Sequence, residues 1–266
     1  MQNIQHHFLQ IAPRYRDLRL TDLAPITYIA EGLQTLPEIM AADVGCGAGR
    51  YDLKLFEQLG GRLQLYCFDA SPAMLRELRA YLQQHNVHNF AVIHADAHKL
   101  PLPAASLHCL FTFNAIHHFK LGLFLNEVRR VLRDRGHLFI YTRLRSQNRR
   151  TIWGKYFPGF SQKETRLYEL DELRRLINQQ SHLQLQAVEF FKFERVCDLP
   201  ELRRRVRQRH YSTFCLYEQN EFNRALREFE RRLRLHYRDL GNIRWFDENV
   251  LLTLRRSRRP PGITDE

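Results

Sequence analysis

A glycine-rich segment holds the clearest sign of chemistry in this sequence. Residues 43–50 read Asp-Val-Gly-Cys-Gly-Ala-Gly-Arg, so glycine alternates at Gly45, Gly47 and Gly49. Glycine adopts positive φ at no steric cost and carries no Cβ that would hold a ligand away from the backbone. The apolar run of residues 39–45 leads into this segment, and ligands of open α/β sheets bind where strands end. The spacing therefore predicts a cofactor loop, with a tight structural turn as the alternative.

The glycine spacing differs from that of dinucleotide-binding enzymes, and a carboxylate follows at the next strand end. Dinucleotide-binding enzymes use G-x-G-x-x-G, whereas the third glycine here arrives one residue early and Arg50 stands where that motif has glycine. Asp69 ends the apolar run 63–69, 24 positions after Gly45. A carboxylate at this place can accept two hydrogen bonds from a ribose diol. Asp69 thus predicts a nucleoside ligand without fixing which one, and the alternative is a carboxylate that caps the next helix.

Three further segments complete a recognisable pattern. They are His94-Ala95-Asp96-Ala97 after a third apolar run, Asn114-Ala115-Ile116-His117-His118-Phe119 after a fourth, and Phe68-Asp69-Ala70-Ser71-Pro72-Ala73-Met74-Leu75. Together with residues 43–50, these segments resemble the class I S-adenosylmethionine-dependent methyltransferases, in particular the group similar to quinone-biosynthesis methyltransferases. The resemblance covers about residues 8–142.

The resemblance implies that the cofactor is S-adenosylmethionine and indicates which residues contact it. In that family the Asp that ends strand three bonds the adenine amino group, and Asp96 is the matching residue. Residues 8–22 are similar to the group's N-terminal helix, where a tyrosine, here Tyr15, closes over the cofactor; Arg16 departs from the Asp that commonly follows. The full set of implied cofactor contacts is Tyr15, Asp43, Gly45, Cys46, Gly47, Gly49, Asp69, Ala70, Met74, Asp96, Ala97 and Asn114.

Two histidines are the candidate catalytic residues. Methyl transfer from a sulfonium is an in-line displacement, so the enzyme mainly holds the nucleophile about 3–3.5 Å from the methyl carbon. A base helps when the acceptor is a hydroxyl or an ammonium, and histidine is best matched to neutral pH. His117 and His118 follow the fourth strand, at the edge where the methyl group is expected. The alternative for either is to pack or to cap the next helix.

The second half of the chain is expected to enclose the acceptor. Residues 144–169 lack periodicity, and residues 199–238 have apolar positions at the spacing of two amphipathic helices. Within the first of these segments, Trp153 and Tyr156 belong to an unusually aromatic stretch. Aromatic side chains can wall a small-molecule pocket, so both are candidate substrate contacts. The alternative is that they anchor the segment onto the core.

The element pattern predicts how these residues are positioned. Strand-like runs alternate with helical ones, which indicates a Rossmann-like, seven-stranded, mostly parallel sheet with helices on both faces. The strands are expected at 39–45, 63–69, 90–94, 107–113, 137–142, 183–193 and 249–254. The expected organisation is an N-terminal helical cap (1–36), a cofactor-binding core (37–196), a helical insertion covering the active site (197–240), and a last strand with a basic tail (241–266), all in one domain.

Charge separates two classes of acceptor. Residues 1–140 carry 14 Lys and Arg against 12 Asp and Glu, whereas residues 141–266 carry 27 against 17. This excess of positive charge favours an anionic partner. We expect a small-molecule acceptor, which could be anionic, because the arginines alternate with Glu and apolar residues as on amphipathic helices. The alternative is an RNA or protein methyltransferase that uses the Arg-rich half to bind an anionic macromolecule.

Cysteine usage and hydropathy bound the setting. The five cysteines are widely spaced without a C-x-x-C pair, so neither a metal site nor a disulfide framework is expected. No apolar run approaches the roughly 20 residues of a membrane span, and the N-terminus lacks a signal-peptide pattern. We expect a cytoplasmic protein.

Overall fold

The structure, a computed structural model, describes residues 8–180 and 182–257. The first seven residues of the expected N-terminal cap and most of the basic tail, including Arg258 and Arg259, lie outside the described residues. In the part of the chain that is described, no helix is long and apolar enough to cross a membrane.

A seven-stranded sheet forms the frame, which confirms the predicted fold class. Its strand order is β3-β2-β1-β4-β5-β7-β6. Strands β1 to β5 pair in parallel, and β7 pairs antiparallel to β5. The strands are β1 (Ile39–Val44), β2 (Leu63–Asp69), β3 (Phe90–His94), β4 (Leu107–Phe113), β5 (Leu132–Thr142), β6 (Leu183–Cys197) and β7 (Ile243–Arg256).

The strand order creates a crevice at one edge of the sheet. The chain steps outward from β1 through β2 to β3 and then returns to place β4 on the other side of β1. Connections to either side leave a gap at the carboxyl ends of β1 and β4, which is where open α/β sheets bind ligands. The segments that follow β1, β2, β3 and β4 therefore meet at this edge, as the sequence predicted.

Ten α-helices have assigned bounds among the described residues. Local signals explain several of their starts: the Ser71 hydroxyl accepts the Met74 N–H at 3.4 Å, and Asp198 accepts the Glu201 N–H at 2.7 Å. The helices are α1 (Ala24–Gly32), α2 (Arg50–Leu59), α3 (Pro72–Gln84), α4 (Leu121–Val131), α5 (Arg145–Arg150), α6 (Ile152–Tyr156), α7 (Phe160–Lys163), α8 (Leu170–Asn178), α9 (Leu199–Arg207) and α10 (Gln219–His236).

Four local predictions need correction, the first being strand β6, which was expected over 183–193 and extends to Cys197. Strand β5 begins at Leu132 rather than 137, because Leu132 pairs with Leu107 before a register shift, and Arg135 at φ 63° accommodates the irregularity. Strand β7 runs over Ile243–Arg256 rather than 249–254. The aperiodic segment 144–169 contains three short helices, α5 to α7. Each of these helices is too short to show a helical period in the sequence.

The chain divides into two compact units. One, here called the strand unit, comprises Thr21–Thr142, Leu170–Glu189 and Val250–Glu266. The other, the helical unit, comprises Met1–Leu20, Arg143–Glu169 and Phe190–Asn249. Their boundaries differ from the four segments predicted from the sequence, so the single-domain organisation with a covering insertion stays a prediction.

Each unit has its own core. The strand unit buries the apolar side chains of β1, β4 and β5, including Phe111 and Phe139, whose rings stack at 5.7 Å. The helical unit buries an aromatic cluster around Trp153, Phe157, Phe214 and Phe229. Helices α9 and α10 contribute the apolar stripes that their sequence periodicity predicted, such as Leu202 and Val206 on α9.

Candidate active site

The glycine loop leaves β1 in left-handed backbone conformations. Gly45, Gly47 and Gly49 have φ values of 77°, 57° and 80°, a region that residues with a Cβ adopt at a cost of about 1–2 kcal/mol. The amides of Gly45 and Cys46 both donate to the carbonyl oxygen of Phe68, at 2.8 and 3.1 Å. The loop is therefore tied to the end of β2, beside Asp69.

Close packing is a second reason for glycine at position 45. A Cβ built there would lie 2.5 Å from the Cβ of Ala115 and 3.1 Å from the ring of Phe119. At Gly49, an added Cβ would lie 2.9 Å from Leu78 of α3. The segment after β4 thus rests directly against the glycine loop. This contact brings the two histidines that follow Ala115 to the same edge as the loop.

Asp69 fixes the loop through both of its carboxylate oxygens. Oδ2 accepts the Gly47 N–H at 2.9 Å, and Oδ1 accepts the Ser71 N–H at 2.8 Å. Burial raises the pKa of Asp69, while these two hydrogen bonds oppose the rise. Each carboxylate oxygen has a second lone pair, so the bonds to the loop leave acceptor capacity for a ligand hydroxyl. The ribose role of Asp69 stays a prediction.

Two more carboxyl groups lie buried beneath the loop. Asp43 is 1% exposed and Asp52 is fully buried, and one oxygen of each lacks a hydrogen-bond partner among the described residues. The Cys67 thiol donates to Oδ1 of Asp52 at 3.3 Å. Burial, and then the charges of Asp52 and Asp69, raise the pKa of Asp43 well above its usual range. Burial also raises the pKa of Asp52 to about 7.

This charge pattern suits a cation better than a phosphate. Burial raises the pKa values of all three acids; the charge of Asp69 raises those of Asp43 and Asp52 further, and the charge of Asp52 also raises that of Asp43. A pyrophosphate would add to that repulsion, whereas a ligand with an ammonium or a sulfonium would relieve it. The orphan oxygen of Asp43 gives such a ligand an unused acceptor. The residues present therefore fit S-adenosylmethionine, and they fit a dinucleotide poorly.

Asp96 lies at the neighbouring strand end, where the register aligns Asp69 with His94. Its Oδ1 accepts the backbone N–H of His98 at 2.9 Å and lies 2.5 Å from Nδ1 of the His98 ring. These bonds lower the pKa of Asp96. The other ring nitrogen of His98 accepts the Lys120 N–H at 2.9 Å. His98 thus joins Asp96 to the start of α4, and its orientation is set from both sides.

The two candidate catalytic histidines end a short 3₁₀ helix, Ile116–His118. Their rings lie 4.1 Å apart between centroids at an angle of 43°. His117 is half-buried and His118 is exposed. Just before them, Asn114 takes a φ of 54°, and its amide donates to the Tyr141 carbonyl at 2.7 Å. The structure therefore places both imidazoles one turn beyond the Ala115–Gly45 contact; their catalytic role stays a prediction.

Most of the predicted cofactor contacts gather at this edge of the strand unit. The rest of that set comprises Cys46, Met74 and Ala97, which are buried, and Ala70, which is exposed. Tyr15 belongs to the helical unit, where its ring meets Phe8 edge-on at 6.4 Å between centroids. Its predicted contact with the cofactor stays a prediction.

The two candidate substrate contacts have different surroundings. Trp153 is 2% exposed and packs against Phe214 and Phe229 at 5.9 and 5.5 Å between ring centroids. This environment is that of a core residue, which matches the anchoring alternative. Tyr156 is half-buried beside His236 and Tyr237, and burial raises its pKa to about 12. A substrate role for either residue stays a prediction.

Sequence reasoning missed three residues of the site. Asp52 shares its helix face with Leu55 and Leu59, a spacing of three and seven positions that marks a buried stripe. An acid on such a stripe is a usable signal. Cys67 and His98 carry no comparable signal, because their partners lie in other segments of the chain.

Known proteins share this domain and this fold. Residues 41–136 match the family model described as a methyltransferase domain. An uncharacterized chloroplastic methyltransferase of Arabidopsis thaliana is 30% identical over 119 residues, which is 43% of this chain and 33% of that protein. The match thus spans about a third of the curated relative.

Two solved structures illustrate the likeness of the fold. A candidate methyltransferase from an antibiotic biosynthesis pathway of Anabaena variabilis has a TM-score of 0.64 and 23% identity, covering 88% of this chain and 98% of that one. Geranyl diphosphate methyltransferase, in complex with GPP and sinefungin, has a TM-score of 0.55 and 16% identity. The match covers 88% of this chain and 77% of that one. Residues 41–136 of this chain are therefore similar to a methyltransferase domain, and its fold is similar to that of these two structures.

Proposed function

We propose that this protein transfers a methyl group from S-adenosylmethionine to a small-molecule acceptor. The observation that carries the proposal is the left-handed glycine loop set among Asp43, Asp52 and Asp69 at the carboxyl edge of β1. That loop combines a left-handed backbone at the carboxyl end of β1 with a cluster of acidic side chains. Both properties fit a cationic nucleoside cofactor.

The residues at the sheet edge would divide the cofactor between them. Gly45 to Gly49 would lie under the methionine end, Asp69 would accept the ribose hydroxyls, and Asp96 would accept the adenine amino group. His98 would hold Asp96 in place through the bonds described above. Tyr15 would close over the cofactor, as the family resemblance implies.

The chemistry of the step needs little from the protein beyond position. When bound, S-adenosylmethionine supplies a methyl group on a positively charged sulfur. His117 or His118 would accept a proton from a hydroxyl or ammonium acceptor as its nucleophilic atom reacts. The half-buried His117 is the better placed to exclude water from that proton transfer. The segments 144–169 and 199–238 would bind the acceptor, with Tyr156 as a contact and Trp153 as the anchor of the first segment.

Ion pairs within the helical unit favour a small acceptor over a nucleic acid. Arg203 pairs with Glu230 at 2.9 Å, so part of the basic surface is already neutralised. Further pairs on the same two helices join Arg204 and Arg205 to Glu201, and Arg231 and Arg232 to Glu228. A phosphate backbone would have to compete with these carboxylates. Geranyl diphosphate methyltransferase, a structural neighbour, is a precedent for a small anionic acceptor.

Calorimetry tests the cofactor assignment. We expect adenosylhomocysteine to bind in the micromolar range, about −8 kcal/mol, and NADH to bind much more weakly. Asp69→Ala should weaken adenosylhomocysteine binding about 10- to 100-fold, because both the ligand acceptor and the bond to Gly47 are lost. Tighter binding of NADH than of adenosylhomocysteine would contradict the proposal.

RNA binding tests the alternative acceptor class. A macromolecular substrate predicts tight RNA binding that falls steeply between two salt concentrations, together with incorporation of labelled methyl groups. We expect weak RNA binding and no incorporation of labelled methyl groups.

A cytoplasmic location stays part of the proposal, supported by five cysteines that form no disulfide. Fractionation of cells that express the tagged chain tests this location.

A further inference from the structure

The helical unit holds a positively charged cluster, and none of the residues of the glycine loop belongs to it. Arg19, Arg143 and Tyr211 form its centre. The guanidinium carbons of Arg19 and Arg143 lie 4.3 and 5.8 Å from the centroid of the same Tyr211 ring. All three residues belong to the helical unit. Two cations thus share one aromatic ring, an arrangement that costs energy through their mutual repulsion unless a negative charge is near.

Arg19 has no carboxylate partner among the described residues. Its side chain forms no ion pair or hydrogen bond there, and its Nε is buried without an acceptor. Its described contacts are cation–π contacts with Tyr211 and with Tyr15, the latter at 5.2 Å. A buried guanidinium N–H without an acceptor loses its hydration and gains no partner. The side chain therefore presents unused donors in a fixed position.

Asp247, the carboxylate that pairs with Arg143, is shared with a second arginine. Asp247 accepts Arg143 at 3.4 Å through one oxygen and Arg195 at 3.2 Å through the other. Two guanidinium groups divide this single negative charge between them. Asp247 forms no ion pair with Arg19. The cluster thus keeps an excess of positive charge.

Tyr211 adds a further donor. Its hydroxyl oxygen accepts Nη1 of Arg143 at 3.4 Å, and its own O–H has no acceptor among the described residues. The neighbouring His210 is 3% exposed, and burial followed by the charges of Arg19, Arg205 and Arg143 lowers its pKa well below the usual value. The arginines near this buried imidazole add to the positive charge of the cluster.

From these contacts we propose that Arg19, Arg143 and Tyr211 form a binding site for an oxyanion group, either a carboxylate or a phosphate. The planar fork of Arg19 and the free O–H of Tyr211 would donate to its oxygens, while Arg143 supplies charge. If the proposed function holds, this oxyanion is the anionic group of the acceptor, and that identification alone rests on the proposed function. The binding site itself does not.

Titration of the full chain with small anions tests the site. The probes are inorganic phosphate and succinate at constant ionic strength, followed by calorimetry, with phosphorus NMR as a second readout for phosphate. We expect saturable binding of at least one probe in the millimolar range, and the stronger of the two identifies the class of oxyanion. Arg19→Gln should weaken that binding at least tenfold, and Arg19→Lys, which keeps the charge without the fork, should lie between. Arg204→Gln is the matched control, because Arg204 is half-exposed and paired with Glu201.

The outcomes separate the site from the function. Non-saturable binding of both probes, or equal affinities for the wild-type chain and Arg19→Gln, overturns the oxyanion site, provided that adenosylhomocysteine still binds and shows the chain to be folded. If the wild-type chain binds a small anion but does not bind adenosylhomocysteine, the proposed function is overturned and the oxyanion site is retained. A misfolded Arg19→Gln variant is recognised by its thermal unfolding, and the Arg19→Lys variant then decides.

Discussion

The two units of this protein bury different ionisable side chains. At the edge of β1, the strand unit buries the carboxyl groups of Asp43 and Asp52. The helical unit instead collects arginines on aromatic rings around Tyr211. The first site is built from a few short segments next to strand ends, and the second from side chains far apart in the chain. This difference teaches why a motif identifies a cofactor far more readily than an acceptor.

The largest expected effect tests whether the aromatic cluster belongs to one unit. Trp153→Ala should lower the free energy of unfolding by about 3–5 kcal/mol, because a fully packed tryptophan leaves a cavity. Urea unfolding followed by circular dichroism measures the loss. Below the denaturation range, affinity for adenosylhomocysteine should stay within about twofold of the wild-type value. A collapse of that affinity in the folded variant would break the division between the two units.

The buried acid predicts a pH dependence of stability. Asp52 has a pKa of about 7 in the folded chain, against about 3.9 when unfolded. The folded state therefore binds more protons between these values, so the free energy of unfolding falls as pH rises from about 4 through 7. The loss should reach at most about 4 kcal/mol.

A comparison of two variants isolates that group. Asp52→Asn removes the titration and keeps an oxygen for the Cys67 thiol, so its stability relative to wild type should rise with pH over this range. Asp171→Asn, an exposed acid in the first turn of α8, is the control and should show no such trend. Parallel curves for wild type and Asp52→Asn between pH 4 and 8 would contradict the assignment.

A glycine substitution sharpens the comparison at the cofactor loop. Gly45→Ala should weaken adenosylhomocysteine binding about 100-fold, close to 2.7 kcal/mol. Its Cβ would meet Ala115 at 2.5 Å, and φ is 77°. Gly122→Ala on α4 has open space around its Cβ and should keep wild-type affinity. Calorimetry measures both, and equal affinities of the two variants would rule out the packing argument.

The smallest expected effect concerns Tyr156. Tyr156→Phe should change the free energy of unfolding by less than about 1 kcal/mol, because the ring and its contacts with His236 and Tyr237 remain. With a true acceptor, kcat/KM should fall about tenfold if the hydroxyl contacts that acceptor. Unchanged kcat/KM would assign Tyr156 to packing alone.

The strand unit was largely predictable because its signals are local. Strands β2, β3 and β4 have the bounds expected from sequence, and Ser71 caps α3 as its position before Pro72 indicates. The glycine loop and Asp69 could be read directly, since each lies where an apolar run ends. The register shift that starts β5 at Leu132 was not predictable, because it depends on pairing with Leu107.

The helical unit was predictable only as a set of amphipathic helices. The apolar stripe of α9 follows from residue spacing, but the meeting of Arg19 with Tyr211 depends on tertiary packing. The same holds for the bond from Cys67 to Asp52 in the strand unit. Trp153 shows the limit most clearly, since an aromatic residue in an aperiodic segment reads equally well as a pocket wall or as core.

The approach of Ala115 to Gly45 has a consequence for protein engineering. Residues 43–50 and residues 114–119 pack against one another so closely that a methyl group added at Gly45 would clash with Ala115. A chimera that imports the second stretch from a relative with a bulkier residue at position 115 would displace the first. Exchange of acceptor preference by grafting should therefore move both stretches together, or begin at residue 120.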